Sequence, residues 1–355
     1  MKKELLIASA LVGTVGVAGV AEAASATFSG HTRNGVLTKD TDAAADGTWA
    51  GSQQAAFSVS ISETTDAGVK IATGIGLSDE GAGTGSDNNP SGLTLTFTDG
   101  SKLDLIEAGN AFATHLASVP GASGEQGVGG VTANSAPTGL TWANKSATTG
   151  FEWHSAADAM GVEGLKVGLS ASMGDDGDAT STSSVESAYS IGASYVTDAG
   201  DTTITIGGGI VHAEDSNATT LNAAAESWAV AATAVTGDLT IGLGIGGGSE
   251  VESNTTVDTT WEVDGAEVYT AGLKYVSGDI TLAIGLADGE AKDGVGGAEG
   301  ALTDSYTSAA ASVSYAVAGG VTAVVGYSDI QRDQEGSAAT GSSGNSWYVG
   351  ATVSF

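Results

Sequence analysis

The sequence has no cysteine and only 3 prolines among its 355 residues. Without cysteine there is no disulfide framework and no thiol chemistry, so hydrogen bonds and packing alone must hold the fold together. The scarcity of proline beside 55 glycines excludes a proline-rich coil. Periodic runs of helix-forming residues are also lacking, so we expect strands joined by flexible connections.

Basic residues are scarce, since 11 Lys and Arg face 42 Asp and Glu and give a formal net charge of −31. A field of this sign repels nucleic acids and attracts cations, so we expect no nucleic-acid partner. Four widely spaced histidines, His31, His115, His154 and His212, form no nucleophile motif or metal-ligand pair, so we predict no enzymatic activity. An enzyme would require a His, a Ser and an acid to converge in the fold.

Long apolar runs are confined to the amino terminus. Residues 1–23 combine two lysines, an apolar segment and an Ala-Glu-Ala cleavage site, which predicts a secretory signal peptide. A retained membrane anchor is the alternative, but the apolar run is shorter than the roughly 20 residues that span a bilayer. We therefore expect residues 24–355 to form one exported domain, and removal of the signal leaves the net charge unchanged.

Strands with one apolar face recur along the mature chain. In residues 239–245, for example, Leu and Ile alternate with Thr and Gly, and period-two alternation indicates a half-buried strand. An even number of strands places both termini on the same side of a barrel. The pattern predicts 16 strands, at residues 25–38, 49–62, 68–78, 92–98, 101–107, 149–156, 164–173, 186–197, 201–212, 226–236, 238–248, 267–277, 279–287, 305–317, 320–329 and 346–355.

The connections between these strands favour a barrel over a soluble sandwich. Very short turns such as Gly237-Asp238 alternate with predicted connections of about a dozen residues or more near Asp215, Val257, Gly294 and Ser337. In a sandwich the apolar faces of two sheets would pack on each other, whereas in a membrane barrel they face lipid. An exported, acidic, Gly-rich β-sandwich or solenoid that serves in a surface layer or in adhesion remains the alternative.

Two further features stand out at residues 108–150 and at the carboxyl terminus. Residues 108–150 form one very long connection after the fifth strand, and a loop of that length is usually functional or disordered. The chain ends on the two-faced strand SWYVGATVSF, whose apolar face carries Trp347, Val349, Val353 and Phe355.

The whole chain resembles the Gram-negative general porins, particularly the alphaproteobacterial type. The signal peptide, the alternating strands, the long third loop and the terminal aromatic strand carry this resemblance. It implies a 16-stranded antiparallel transmembrane β-barrel in outer-membrane lipid, with short periplasmic turns, long extracellular loops and the third loop folded into the lumen. It also implies a homotrimer that passes small hydrophilic solutes, and a terminal strand that serves as the signal for the barrel-assembly machinery.

In that family, acids on the inward loop face basic side chains on the opposite wall. The corresponding candidates here are Glu125 on the loop, Asp104 and Glu107 on the strand before it, and the lumen-facing Arg33, Lys70, Lys102, Lys166 and Lys274, with His31 beside them. They form no tight arginine cluster, and the lysines are equally compatible with solvated wall residues. A monomeric, substrate-specific barrel is a third hypothesis that fits the same pattern of strands.

The acidic excess predicts a preference for cations over anions. In the segment GDDGDAT, Asp175, Asp176 and Asp178 lie as close together as the oxygen ligands of a calcium loop, but the segment lacks the full loop pattern and its closing Glu. A solvated acidic loop is the ordinary interpretation of these aspartates, and we expect no other cofactor.

Overall fold

The computed structural model describes residues 24–41, 49–80, 87–105, 110–121, 149–173, 185–215, 223–254, 259–294, 302–333 and 343–355. Their strands are β1 (Ser25–Thr41), β2 (Trp49–Thr64), β3 (Lys70–Glu80), β4 (Asp87–Thr96), β5 (Lys102–Leu105), β6 (Thr149–His154), β7 (Leu165–Met173), β8 (Val185–Ala199), β9 (Thr202–Asp215), β10 (Ala223–Thr236), β11 (Leu239–Asn254), β12 (Thr259–Ser277), β13 (Ile280–Gly294), β14 (Leu302–Ala318), β15 (Val321–Asp333) and β16 (Gly344–Ser354). One short helix, α1 (Ala111–His115), follows β5. None of the described helices has the length and hydropathy that a bilayer span requires.

The strands form one closed antiparallel barrel. Each strand pairs with its neighbours in sequence, and β1 pairs with β16 to close the sheet, with Arg33 opposite Thr352. Closure removes the free strand edges that an open sheet would expose. Every predicted strand is present, so the expected 16-stranded antiparallel barrel is confirmed.

The burial of side chains is inverted relative to a soluble sheet. On β13 the large residues Leu282 and Ile284 are 41% and 45% exposed, whereas Ala283 between them is only 3% exposed. On the inner face, small polar residues are buried instead, among them Ser308, Ser312, Ser314, Ser328 and Ser346. A sandwich would bury the large apolar face, so this arrangement disfavours the sandwich alternative and suits a barrel surrounded by lipid.

Several strands extend further than the alternation predicts, at the end opposite the short turns. β11 continues to Asn254 and pairs there with Thr259 of β12, so only residues 255–258 separate the two strands. The predicted long connection near Val257 is therefore wrong, and those near Asp215 and Gly294 are also shorter than expected, since only 216–222 and 295–301 lie between strands. Beyond the apolar band both faces of a strand meet water, so backbone pairing continues after the alternation has ended.

The last residue contributes to the seam of the barrel, which is the pairing of β1 with β16. Gly30 N donates to Phe355 O at 3.1 Å, and Phe355 N donates to Gly30 O at 3.0 Å. The Phe355 ring stacks on Phe57 with a centroid distance of 6.4 Å, and Phe57 in turn contacts Phe28 at 6.1 Å. The terminal face formed by Trp347, Val349, Val353 and Phe355 is exposed, as its period-two pattern predicts.

Candidate functional site

The first described part of the long connection, residues 110–121, lies inside the barrel. Asn110 caps α1, since its Oδ1 accepts from the Phe112 backbone N at 3.0 Å. The Phe112 side chain is fully buried and packs against Val211 of β9 and Ala229 of β10. An aromatic residue buried in this way anchors the start of the loop to the wall, and it accounts for the predicted inward fold of the third loop.

Two wall serines accept hydrogen bonds from the first backbone donors of α1. Ala111 N donates to Ser170 Oγ at 3.3 Å, and Phe112 N donates to Ser190 Oγ at 3.2 Å. The two hydroxyls also contact each other at 2.6 Å across β7 and β8. Helix amino termini leave such donors without partners inside the helix. The Ser170 hydroxyl satisfies the buried Ala111 donor, and the Ser190 hydroxyl gives the Phe112 donor a second acceptor beside Asn110.

The loop then lies directly on the backbone of the inner wall. We call the wall positions beneath it the glycine seat, which comprises Gly168, Gly192, Gly207, Gly242 and Gly272 on β7, β8, β9, β11 and β12. A β-carbon at Gly168 would lie 2.6 Å from His115 Nε2, and one at Gly242 would lie 2.6 Å from Pro120 Cδ. Any side chain at these positions would therefore displace the loop or the wall.

A buried polar network joins α1 to β6 and β8. His115 Nε2 lies 3.0 Å from His154 Nδ1, and His115 Nδ1 lies 3.0 Å from Ser194 Oγ. His154 Nε2 contacts Glu152 Oε1 at 2.9 Å, and Thr114 Oγ1 donates to the same carboxylate oxygen at 2.7 Å. Glu152, His115 and His154 are each less than a tenth exposed, at 4%, 5% and 8%.

Two of the predicted charged residues meet beside this network. Asp104 Oδ2 lies 3.9 Å from Lys102 Nζ and 3.8 Å from His154 Nε2. Thr94 Oγ1 donates to the other carboxylate oxygen of Asp104. Elsewhere on the wall, Arg33 Nη1 donates to Gln54 Oε1 at 2.6 Å.

The remaining predicted residues are spread around the wall. Lys70 and Lys102 begin β3 and β5. Lys166 lies near the start of β7, Lys274 lies near the end of β12, and His31 lies opposite Ser354. Glu107, Glu125, Asp175, Asp176 and Asp178 lie outside the described residues. Within the part of the chain that is described, no group of His, Asp and Glu side chains could hold a metal ion.

The pairing of His115 with His154 was not predicted from the sequence, because period-two alternation assigns residues to a strand face but does not locate a loop. The recurrence of glycine at inward positions of adjacent strands is the signal that could have indicated the path of the loop.

The network contains a serine, two histidines and an acid, which is the convergence that an enzyme would require. Burial lowers the pKa of His115 to about 4, and the nearby His154 adds to this effect. An imidazole of such low basicity is a poor general base at neutral pH. His115 Nδ1 contacts Ser194 and His115 Nε2 contacts His154, so the ring joins the loop to two strands of the wall.

The fold is shared with several solved outer-membrane barrels. OmpT of Vibrio cholerae in a trimer form is 14% identical with a TM-score of 0.60, and the alignment covers 94% of this chain and 100% of that one. An anion-selective porin from Comamonas acidovorans is 14% identical with a TM-score of 0.62, covering 94% and 100%. A mutant porin of Rh. blastica is 15% identical with a TM-score of 0.57, covering 93% and 100%. No curated protein matches this chain significantly.

A family model described as Gram-negative porin matches residues 8–333. That range includes the inward loop, the glycine seat and the strands from β1 to β15. The chain therefore belongs to the Gram-negative porin family, and this membership together with the closed barrel indicates a non-enzymatic outer-membrane channel for the diffusion of small solutes.

Proposed function

We propose that the barrel is a water-filled channel for passive diffusion of small hydrophilic solutes and ions, with a preference for cations. The observation that carries the proposal is the inversion of polarity across the wall. On β14, Ser312 and Ser314 face the interior, whereas Val313 between them points outward and is 47% exposed. A polar interior retains water, and an apolar exterior contacts lipid.

The preference for cations rests on charge. The chain carries a net charge of −31, and on the described wall the buried Glu152 and the partly buried Asp104 lie beside the inward loop. Carboxylates along a narrow aqueous path raise the local concentration of cations. The similar Comamonas acidovorans porin is anion-selective, so the shared fold does not fix the sign of selectivity and the wall charges must do so.

Liposome swelling with neutral sugars of increasing size tests passive diffusion. A diffusion channel gives swelling rates that rise in proportion to the gradient and fall smoothly with solute size. Saturation of the rate by one sugar alone would instead indicate a substrate-specific barrel. Liposomes without protein provide the control.

The maturation and assembly of the chain form part of the same proposal. Residues 1–23 act as the export signal, the barrel domain begins at residue 24, and the terminal strand with Phe355 engages the barrel-assembly machinery. Mass measurement of the protein from outer membranes tests the cleavage site. An intact amino terminus in that measurement would refute removal of the signal.

The mature barrels associate as homotrimers, in line with the trimer form of the similar Vibrio cholerae protein. Native mass spectrometry in detergent tests this state, and a monomeric mass at all protein concentrations would refute it. Calcium binding by Asp175, Asp176 and Asp178 stays a prediction, which calorimetric titration with Ca²⁺ can test.

A further inference from the structure

The inward loop touches the wall at two places and bridges the wall between them. At the first place, the carbonyl oxygen of His115 occupies the space that a β-carbon at Gly207 of β9 would need. At the second place, a β-carbon at Gly242 of β11 would lie 2.6 Å from Pro120 Cδ. Since β10 lies between β9 and β11, residues 116–119 cross it between two fixed contacts.

A cavity of about 350 Å³ lies under this bridge. The loop contributes Leu116, Ala117 and Val119 to its lining, and the wall contributes Ala229, Ala231 and Val268. Of the described residues that line the cavity, none carries a charge. Protein interiors are normally packed without voids of this size, so the two alanines of β10 leave room that larger side chains would fill.

We propose that this cavity is a binding site for a small neutral molecule with one or two aromatic rings and a hydroxyl group, and that the channel retains such solutes during their passage. The inference rests on the proposed channel function, for which it names a class of solute.

The volume and the lining of the cavity favour an aromatic ring over water or an ion. An apolar cavity of about 150 Å³ stays dry and binds benzene, and ligand sites commonly measure about 300–1,000 Å³. A charged group would lose its hydration here without gaining a partner among the described lining residues. A ring that fills the space gains dispersion contacts with the alanine, leucine and valine side chains.

A hydroxyl group of the wall lies within the same space. Thr270 of β12 lines the cavity and is half-buried. A β-carbon at Gly244 would lie 2.6 Å from Thr270 Oγ1 and 3.3 Å from Val119 Cγ2, so the hydroxyl lies over Gly244 and close to the loop. Because a threonine hydroxyl can donate and accept, it can pair with the hydroxyl of a phenol.

The loop side of the cavity is open to solutes in the lumen. The lining includes Ser118, which is exposed, and Val119, which is half-buried. A small molecule can therefore enter at the edge of the loop without any separation of the paired strands.

Equilibrium dialysis of 2-naphthol against the purified mature barrel in detergent micelles tests the site, with protein-free micelles as the background. We expect saturable binding of a single molecule per chain. Ala231→Leu fills the space close to Val119 and should weaken binding by about tenfold or more. Thr270→Val keeps the shape of the side chain and removes its hydroxyl, so it should weaken binding of 2-naphthol by roughly two- to tenfold and leave that of naphthalene unchanged.

Ala316→Leu is the matched control, since Ala316 is an exposed residue two positions after the inward-facing Ser314 and does not line the cavity. This variant should bind 2-naphthol as the wild type does, and heat-modifiable mobility on gels verifies that each variant is folded. The site is refuted if the wild type shows no saturable binding, or if Ala231→Leu and Thr270→Val both bind as tightly as the wild type.

Swelling of liposomes that contain the same preparation keeps the two claims apart. Swelling with neutral sugars but without saturable binding of 2-naphthol refutes the site alone. Absence of swelling refutes the channel function and the retention of solutes with it.

Discussion

The carbonyl oxygen of Pro120 on the inward loop occupies the space that a β-carbon at Gly272 of β12 would need. The loop and the wall thus approach as closely as their backbones allow. The same holds at Gly192 and Gly207, whose missing β-carbons leave room for the carbonyl oxygens of Ala111 and His115. The absence of wall side chains therefore allows the loop to lie directly against the wall.

Substitution of a residue of the glycine seat should displace the inward loop and leave the barrel intact. Gly272→Val places a branched side chain against Pro120, and overpacking of this kind costs about 1–3 kcal/mol. Movement of the loop relieves this strain at lower cost than opening the hydrogen-bonded wall, so we expect a smaller single-channel conductance with unchanged heat-modifiable mobility on gels.

Gly76→Val is the matched control for this substitution. A β-carbon at Gly76 on β3 would have no heavy atom within 4 Å, so this variant should conduct as the wild type does. Equal conductance of the Gly272 variant and the wild type would show that the seat does not position the loop.

The close pair of Lys102 and Asp104 should tune ion selectivity in opposite directions. Asp104→Asn removes a negative charge from the wall, and Lys102→Gln removes a positive charge 3.9 Å away. The cation-to-anion permeability ratio should fall in the first variant and rise in the second, because the local potential becomes more positive in the first and more negative in the second. Reversal potentials in a KCl gradient measure both, and a shift of both variants in the same direction would contradict the assignment.

The outer face of β13 should not tolerate charge. Ile284 is 45% exposed on the lipid-facing side, and an arginine at the bilayer midplane of a barrel costs roughly 2–4 kcal/mol. We expect Ile284→Arg to lower the free energy of unfolding by this amount in denaturant titrations of barrels folded into lipid vesicles. Thr281→Arg, on the inner face of the same strand, should have little effect, and equal losses from both would argue against a lipid-facing outer surface.

The terminal aromatic residue should be needed for closure of the barrel. Deletion of Phe355 removes its two backbone hydrogen bonds to Gly30 and its stacking on Phe57. We expect less folded, heat-modifiable protein in outer-membrane fractions. Ser354→Ala, which keeps the backbone pairing of the seam, should assemble normally. Normal assembly of the deletion variant would contradict the proposed role of Phe355.

The strands could be predicted from the sequence because lipid and lumen impose opposite demands on successive residues. Leu282 and Ile284 face outward and Ala283 faces inward, as period-two alternation requires. The alternation ends where both faces meet water, so it could not predict that β11 and β12 continue to Asn254 and Thr259.

The lumenal site was only partly predictable for a different reason. Period-two alternation assigns Lys102 and Asp104 to the same face of β5, and their side chains lie 3.9 Å apart. The contact of His115 with His154 depends on the path of the loop, which follows the glycine seat and has no periodicity of its own. The number of glycines in the sequence was informative about this path only once their positions on neighbouring strands were known.

The reversal potential of single channels in a KCl gradient tests the central claim most directly. A water-filled pore with an acidic wall should open in discrete steps and reverse at a potential displaced toward the equilibrium potential of K⁺. A displacement toward the equilibrium potential of Cl⁻, or the absence of discrete openings, would contradict the account.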